Sequence, residues 1–179
     1  MTKKIALVLV LLAVPIVARA QTQWALDKCV LTYQVTHPLH HVEGVSHEAR
    51  GKGVCQSGKC DFLIAVPVKS FDSGDSNRDL HMVQITRGGV NPMVVVRTEI
   101  PESELNSPTI HVDLDVQFAG ETAHYQNVAF QLSKQGNETR ITGTIPAKCS
   151  DFKIDPPKLL TIPIKDEIPI LVDATWRPS

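Results

Sequence analysis

Apolar and polar side chains alternate along most of this chain. In the clearest example, residues 110–118, every second residue is apolar: Ile110, Val112, Leu114, Val116 and Phe118. Successive side chains of a β-strand point to opposite faces, so this segment is predicted to bury one face and expose the other. Such alternation indicates antiparallel sheet, because the strands of a parallel sheet are covered on both faces and are apolar throughout.

Eight segments carry this pattern, which predicts an all-β domain. The predicted strands are residues 26–37, 42–54, 61–69, 93–100, 108–119, 123–133, 139–148 and 167–177. Periodicity does not distinguish a sandwich from a barrel, since both consist of short alternating strands. The strands are long, at roughly 8 to 13 residues against a typical five or six. This length favours an eight-stranded antiparallel barrel whose strands are tilted to its axis.

One helix interrupts the strand pattern. It is predicted from Asn77 to about Arg87, with Ser76 and Asp79 at the spacing of a capping box and Gly88–Gly89 as its stop. The surrounding segment, residues 70–89, joins two strands at one end of the predicted barrel. Connections at the end of a barrel commonly control access to its interior. We therefore expect this segment to form the mouth of any cavity.

The inward faces of the predicted strands are candidates for lining a ligand cavity. Aromatic residues make up only 5% of the chain, so these faces are mostly aliphatic. Alternation alone is compatible with a filled core and with an apolar hollow. The candidate lining residues are Leu31, Tyr33, Val35, Phe62, Ile64, Val66, Val96, Ile110, Val112, Leu114, Val116, Phe118, Val128 and Phe130.

The first 20 residues have the composition of a secretory signal peptide. Lys3 and Lys4 precede an apolar run, and Ala18-Arg19-Ala20 provides small residues before the expected cut. The run of about 13 apolar residues is short of the 18 or more of a membrane span, so no integral membrane anchor is expected. The predicted domains are therefore a signal peptide, 1–20, and one β-barrel domain, 21–179. The mature protein is expected to be periplasmic or secreted.

Composition and charge narrow the class of partner. Hydrophobic residues make up 42% of the 179-residue chain and charged residues 21%, as in a globular domain. The chain has 18 basic and 19 acidic residues, and removing the three basic residues of the leader leaves 15 − 19 = −4. Nucleic-acid binding needs clustered positive charge, so no nucleic-acid partner is expected.

Four cysteines remain after cleavage: Cys29, Cys55, Cys60 and Cys149. An even number in an oxidising compartment predicts two disulfides and no free thiol. Cys55 and Cys60 flank a short turn containing glycine, which favours a bond between them. Cys29 then pairs with Cys149 by elimination, although the other connectivities stay open.

Seven histidines raise the alternative hypothesis of a haem- or metal-binding redox protein, or of an enzyme, on the same barrel. His37 or His41 would be placed at that chemistry, since the two share one strand face. No cysteine or carboxylate stands at ligand spacing beside them, and the chain has no G-x-S-x-G motif. We assign no catalytic residue and no metal ligand, and expect the protein not to be an enzyme.

Several motifs follow one another along the chain. They are WALD at 24–27, HPLHHVEG at 37–44, VKSFDSGDSNRDLHM at 68–82, NP at 91–92, FAG at 118–120 and SDF at 150–152, followed by Pro156–Pro157. In this order they resemble the YceI-like family of periplasmic, lipocalin-like, polyisoprenoid-binding proteins. The similarity covers nearly all of residues 21–179. Its most specific part is the RDLHM block at 78–82. The four cysteines are a departure from the family's common pattern.

The resemblance implies an extended lipocalin-like antiparallel barrel with one short helix near one end. It further implies an apolar tunnel that holds a long isoprenoid chain, such as that of an isoprenoid quinone or a polyprenyl lipid, in a carrier or sequestering role. No other cofactor is expected. The mouth of the tunnel would be ringed by His40, Arg78, Asp79 and His81. Because a closed barrel has no free sheet edge, the expected state is a monomer or a weak dimer.

Overall fold

The computed structural model describes residues 21–37, 40–159 and 161–179. The predicted signal peptide, residues 1–20, lies outside the described residues. Within these ranges one α-helix, α1, spans Ser76–Ile85, and short 3-10 helices span Val68–Ser70, Glu102–Asn106 and Ser150–Phe152. The strands are β1 Thr22–His37, β2 His40–Ser46, β3 Arg50–Gln56, β4 Lys59–Pro67, β5 Met93–Pro101, β6 Thr109–Phe118, β7 Glu121–Gln135, β8 Glu138–Ile145, β9 Lys158–Leu159, β10 Ile162–Pro163 and β11 Ile170–Pro178.

The large sheet closes on itself. Its strand order is β11-β8-β7-β6-β5-β4-β3-β1-β2, and β11 also pairs with β1, so the first and last strands of the chain complete the wall. Every pairing is antiparallel. Strands β2 and β3 together occupy one position beside β1, which gives eight positions around the wall. The predicted eight-stranded antiparallel barrel is confirmed.

One predicted strand is divided. The segment 42–54 was expected to be continuous, but it forms β2 and β3 with residues 47–49 outside both strands. Both halves keep the same register on β1, since Leu31 faces Ser46 and Ala25 faces Lys52. Ladder pairing is lost opposite the middle of β1, where a bulge near Asp27 shifts the register between β1 and β11.

The antiparallel order gives the barrel two different ends. At the lower end, the connections after β3, β5 and β7 are residues 57–58, 102–108 and 136–137. The upper end carries residues 68–92, which include α1, and the long connection of residues 146–169. The candidate mouth segment therefore lies at the upper end, as the sequence predicts for an end connection.

The helix begins and ends with residues other than those predicted. Its N-cap is Asp75, whose carboxylate accepts hydrogen bonds from the backbone N–H groups of Asn77 and Arg78. At the other end Arg87 adopts a left-handed conformation (φ 56°), and Gly88 donates its backbone N–H to Val83. The predicted cap at Ser76 is therefore wrong, and the helix ends at Ile85, two residues before the predicted end, with Arg87 in the left-handed position and Gly88 closing the last turn. Within the described ranges, no helix is long and apolar enough to cross a membrane.

The cysteine prediction is half correct. A disulfide joins Cys55 and Cys60 across the β3–β4 hairpin, with an S–S distance of 2.01 Å. Cys29 and Cys149 are free and buried, so the expectation of no free thiol is wrong. Cys29 faces Ala174 within β11, whereas Cys149 bonds to Asp166, which precedes that strand. The two thiols lie at different heights in the barrel, and a disulfide needs Cα atoms within about 7 Å.

Candidate functional site

An apolar cavity of about 450 Å³ runs through the interior of the barrel. On β6 its lining includes every second residue from Ile110 to Phe118. Eight residue steps at about 3.3 Å each correspond to about 26 Å of strand. The cavity is therefore long and narrow, and it extends along most of the height of the wall. This shape suits a single extended chain better than a compact molecule.

The structure places nearly all the candidate lining residues on this cavity. Leu31, Tyr33, Val35, Phe62, Ile64, Val66, Val96, Ile110, Val112, Leu114, Val116, Phe118 and Phe130 all line it. Val128 is the exception. Its side chain is buried but does not line the cavity. Val128 lies on β7 next to the bulge in the β6–β7 pairing.

Large side chains fill the lower end of the cavity. The rings of Phe62 and Trp176 meet edge to face, with their centroids 5.0 Å apart, and both side chains are buried. Leu105, from the 3-10 helix between β5 and β6, is also buried and lines the cavity from below. These contacts narrow the lower end of the cavity. The polar lining residues of the connecting segments lie at the upper end.

A polar network at the upper end fixes Arg78. Its Nε–H donates to the Ser73 hydroxyl oxygen at 2.8 Å, and its Nη2–H donates to the Ser73 carbonyl at 2.7 Å. Asp79 accepts from the Ser73 hydroxyl at 2.5 Å and from the Ser73 backbone N–H at 3.1 Å. Arg78 lines the cavity, whereas Asp79 does not. Of the pair predicted at the mouth, only Arg78 lines the interior.

Tyr33 connects the network to the wall. Its ring packs against Phe71 with centroids 5.7 Å apart, and it covers Gly44 on the neighbouring strand. A Cβ at Gly44 would lie 2.2 Å from the ring, so glycine is required for this approach. Burial raises the pKa of the Tyr33 hydroxyl, and the nearby Asp79 carboxylate raises it further. The phenol therefore stays neutral and can donate a hydrogen bond.

The other two residues predicted at the mouth are less informative. His81 lines the cavity from α1. The backbone of His40 pairs with His37 at the start of β2, but the His40 side chain lies outside what the structure describes. Arg78 and His81 therefore both line the cavity at its upper end, whereas Asp79 does not line it. The imidazole of His40 lies outside the described residues.

Sequence reasoning missed the lining residues of the connecting segments. These are chiefly Phe71, Met82, Ile85, Phe152, Ile154 and Lys158. Phe152 is buried against Phe118, with ring centroids 5.2 Å apart, and its carbonyl accepts a hydrogen bond from Arg87. Residues outside strands have no period-two pattern, so alternation gives no signal for them. The spacing of Met82 and Ile85 on one helix face was the available signal.

The two free cysteines face the same cavity. Cys29 lines the wall and Cys149 lies near the upper end. Burial raises the pKa of each thiol to about 11. Thiolate is the reactive form of cysteine, so both groups behave as small apolar lining side chains at neutral pH.

The histidines of the alternative hypothesis are separated. His37 is buried and lines the cavity, while His41 is exposed and its Nδ1 lies 3.3 Å from the Thr36 hydroxyl. Among residues 21–37, 40–159 and 161–179, no group of three or more His, Cys, Asp or Glu side chains is arranged to hold a metal ion.

Comparison with known proteins identifies the fold. Neither models of protein families nor the sequences of curated proteins match this chain. Among solved structures, BcnA of Burkholderia cenocepacia superposes with a TM-score of 0.69 at 16% identity, over 82% of this chain and 95% of that one. A polyisoprenoid binding domain from Saccharophagus degradans, implicated in plant cell wall breakdown, gives 0.68 at 11% identity, over 87% and 98%.

A third structure links the fold to the resemblance seen in the sequence. The YceI protein of Campylobacter jejuni superposes with a TM-score of 0.53 at 11% identity, over 99% of this chain and 93% of that one. The chain thus has an all-β, lipocalin-like barrel fold. More particularly, it has the YceI-like fold. Identities this low establish a shared fold but not a shared ligand, so the ligand is inferred from the cavity itself.

Proposed function

We propose that this protein binds a long isoprenoid chain in its barrel, as a carrier or a sequestering protein and not as an enzyme. The observation that carries the proposal is the continuous apolar lining of a cavity about 450 Å³ in volume. Burying a hydrocarbon chain there contributes about 25 cal/mol for each Å² removed from water. Many lining residues contribute a little each, so affinity does not depend on one hydrogen bond.

The resemblance of the sequence to YceI-like proteins supports an isoprenoid over other apolar chains, and one structural neighbour is described as a polyisoprenoid binding domain. Isoprenoid quinones and polyprenyl lipids are the expected ligands. The signal-like residues 1–20 support a periplasmic or secreted location, where the protein acts as a monomer or weak dimer without a membrane anchor or nucleic-acid partner.

The polar head of such a ligand would lie at the upper end, beside Arg78 and His81. The guanidinium has five N–H donors, and its described hydrogen bonds use two of them. The others can donate to a carbonyl or hydroxyl oxygen. Tyr33, held neutral by burial, stands close to the same network.

Extraction of the purified protein tests the proposal directly. Organic extraction followed by mass spectrometry is expected to yield an isoprenoid, and the stripped protein is expected to bind farnesol. A protein that carries no lipid and binds no isoprenoid alcohol would contradict the proposal. A Soret band in the visible spectrum would instead support the haem alternative.

Arg78→Ala tests the position of the head group. Affinity for an isoprenoid with a polar head is expected to fall about tenfold, as for loss of a charge-assisted hydrogen bond, while affinity for a hydrocarbon chain changes little. Because Arg78 also holds Ser73, the melting temperature is measured in parallel. Equal loss of affinity for both ligands would assign Arg78 a purely structural role.

A further inference from the structure

The exposed large apolar side chains of this protein are concentrated at one end of the barrel. Single exposed apolar residues are common on protein surfaces and by themselves need no explanation. Within the part of the chain that the structure describes, however, four of the five lie in the upper-end connections or directly beside them, and the lower-end connections have none. These four residues, Leu80, Val90, Met93 and Ile162, form the apolar rim.

Packing inside the barrel does not explain the apolar rim, because none of its four side chains lines the cavity. On α1 the cavity is lined by Met82 and Ile85, whereas Leu80 is 59% exposed. Two residues along an α-helix are about 200° apart, so Leu80 lies on the opposite face from Met82. The helix therefore presents apolar side chains both to the cavity and to the surroundings of the barrel.

Val90 is held on the surface by an ordered turn. Its side chain is 85% exposed. The Val90 backbone N–H donates to the Arg87 carbonyl at 3.0 Å, and the Asn91 N–H donates to the same carbonyl at 2.8 Å. A fixed turn thus places a valine where a polar residue would be better solvated. Because the turn is already ordered, docking through Val90 would cost little backbone entropy.

The apolar rim lies beside the opening of the cavity. His81 and Lys158 are exposed and also line the cavity, so they mark the place where it meets solvent. His81 follows Leu80 directly on α1. Lys158 pairs with Pro163, next to Ile162, in the β9–β10 hairpin. Both residues that mark the opening therefore have a member of the apolar rim as a close neighbour.

The charges at the opening indicate what the apolar rim contacts. Among the described residues, the cavity lining includes basic side chains and no carboxylate. The basic ones are His37, Arg78, His81 and Lys158. Anionic lipid head groups carry the complementary charge, and a bilayer has its apolar layer directly beneath them. A fluid bilayer also accepts separate apolar side chains, whereas a protein partner needs a continuous surface of matching shape.

We propose that the upper end of the barrel docks on an anionic lipid bilayer, with the apolar rim inserted below the head groups and the cavity opening facing them. The docking is peripheral, since it uses a few side chains and no membrane-spanning segment. It goes beyond the proposed function. Its purpose, the direct passage of an isoprenoid between bilayer and cavity, rests on that function.

Flotation with vesicles of equal parts phosphatidylcholine and phosphatidylglycerol tests the docking. The unmodified protein is expected to float with the vesicles. Leu80→Asp and Val90→Asp each place a charge in the inserted surface, and each is expected to lower the ratio of bound to free protein about tenfold. Both positions are exposed, so the melting temperature should change little. An unmodified protein that does not float would overturn the docking.

Leu171→Asp is the matched control. Leu171 is the fifth exposed large apolar residue, at 38%, and it lies on the outer face of β11 between the lining residues Ile170 and Val172. The same substitution on the side of the wall is expected to leave flotation unchanged. An equal loss in this variant would overturn docking through the upper end.

Sedimentation without lipid tests whether a second copy of the chain covers the apolar rim instead. The unmodified protein and Val90→Asp are expected to sediment alike. A stable dimer that Val90→Asp dissociates would overturn the bilayer as the partner and assign the apolar rim to contact between two copies.

Uptake of farnesol, an isoprenoid alcohol, tests the purpose of the docking. Stripped Val90→Asp is expected to take up farnesol from the vesicles about tenfold more slowly than the stripped unmodified protein, and to bind farnesol added from solution equally well. Equal rates of uptake from vesicles would overturn direct passage from the bilayer. Failure of the unmodified protein to bind farnesol from solution is a different result, because it would refute the proposed function, while flotation still decides the docking.

Discussion

The barrel wall and residues 70–89 bury side chains by different means. In the wall, apolar side chains repeat at every second position, and those of β6 from Ile110 to Val116 are less than a tenth exposed. Helix α1, within residues 70–89, has no fully buried residue. Met82 and Ile85 of α1 line the cavity, and the hydrogen bonds of Ser73 with Arg78 and Asp79 hold the first turn of the helix. The wall is therefore expected to tolerate no inward charge, and residues 70–89 to depend on individual hydrogen bonds.

Leu114→Asp is expected to have the largest effect. Leu114 is 4% exposed, and an unpaired carboxylate at this position costs several kcal/mol, enough to prevent folding or ligand binding. Asp113→Ala, on the outer face of the same strand, loses a hydrogen bond from the Asn127 backbone N–H and should cost about 1 kcal/mol or less. Urea unfolding measures both. Similar losses for the two variants would show that the two faces of β6 are wrongly assigned.

Gly44→Ala tests the contact where the wall meets residues 70–89. The added methyl group would overlap the Tyr33 ring, which packs against Phe71, so we expect a loss of about 1 to 3 kcal/mol. Gly89→Ala is the matched control, because nothing lies within 4 Å of a Cβ there. Thermal unfolding compares the two. A neutral Gly44→Ala would mean that the ring moves away without cost.

The same contrast explains how much the sequence could predict. Alternation located the inward residues of β6 because each of them obeys one period, imposed by strand geometry. The helix cap could not be found in this way, since Asp75 and Ser76 are both good cap residues and the local backbone decides between them. The pairing of Cys55 with Cys60 followed from a local hairpin. The separation of Cys29 from Cys149 depends on where the long connection of residues 146–169 lies along the barrel axis, which no local sequence pattern encodes.

Asp75→Ala is expected to have a smaller effect, confined to the helix. Removing the carboxylate that accepts from Asn77 and Arg78 should cost about 1 kcal/mol. Ser76→Ala removes the cap that the sequence predicts and should change stability little. Hydrogen exchange of the amides in α1 measures the difference against those of β6. Faster exchange in the Ser76 variant than in the Asp75 variant would contradict the assigned cap.

The two free cysteines compare the local stability of the barrel wall with that of the upper-end connection of residues 146–169. This test perturbs the protein least, since no residue is changed. Burial raises the pKa of both thiols to about 11, so in the native protein alkylation is slow at neutral pH and becomes faster as the pH rises toward that value. Cys29 lies in a wall strand, where it pairs with Ala174 of β11 and faces the gap between β2 and β3, whereas Cys149 lies in the connection of residues 146–169, held there by Asp166. Local opening is easier in a connection than in a closed sheet.

Pulsed alkylation followed by peptide mapping is therefore expected to label Cys149 before Cys29, and unfolding without reductant should expose two thiols. Earlier labelling of Cys29 would mean that the wall opens before the upper end does, and the absence of thiols in the unfolded chain would restore a Cys29–Cys149 disulfide.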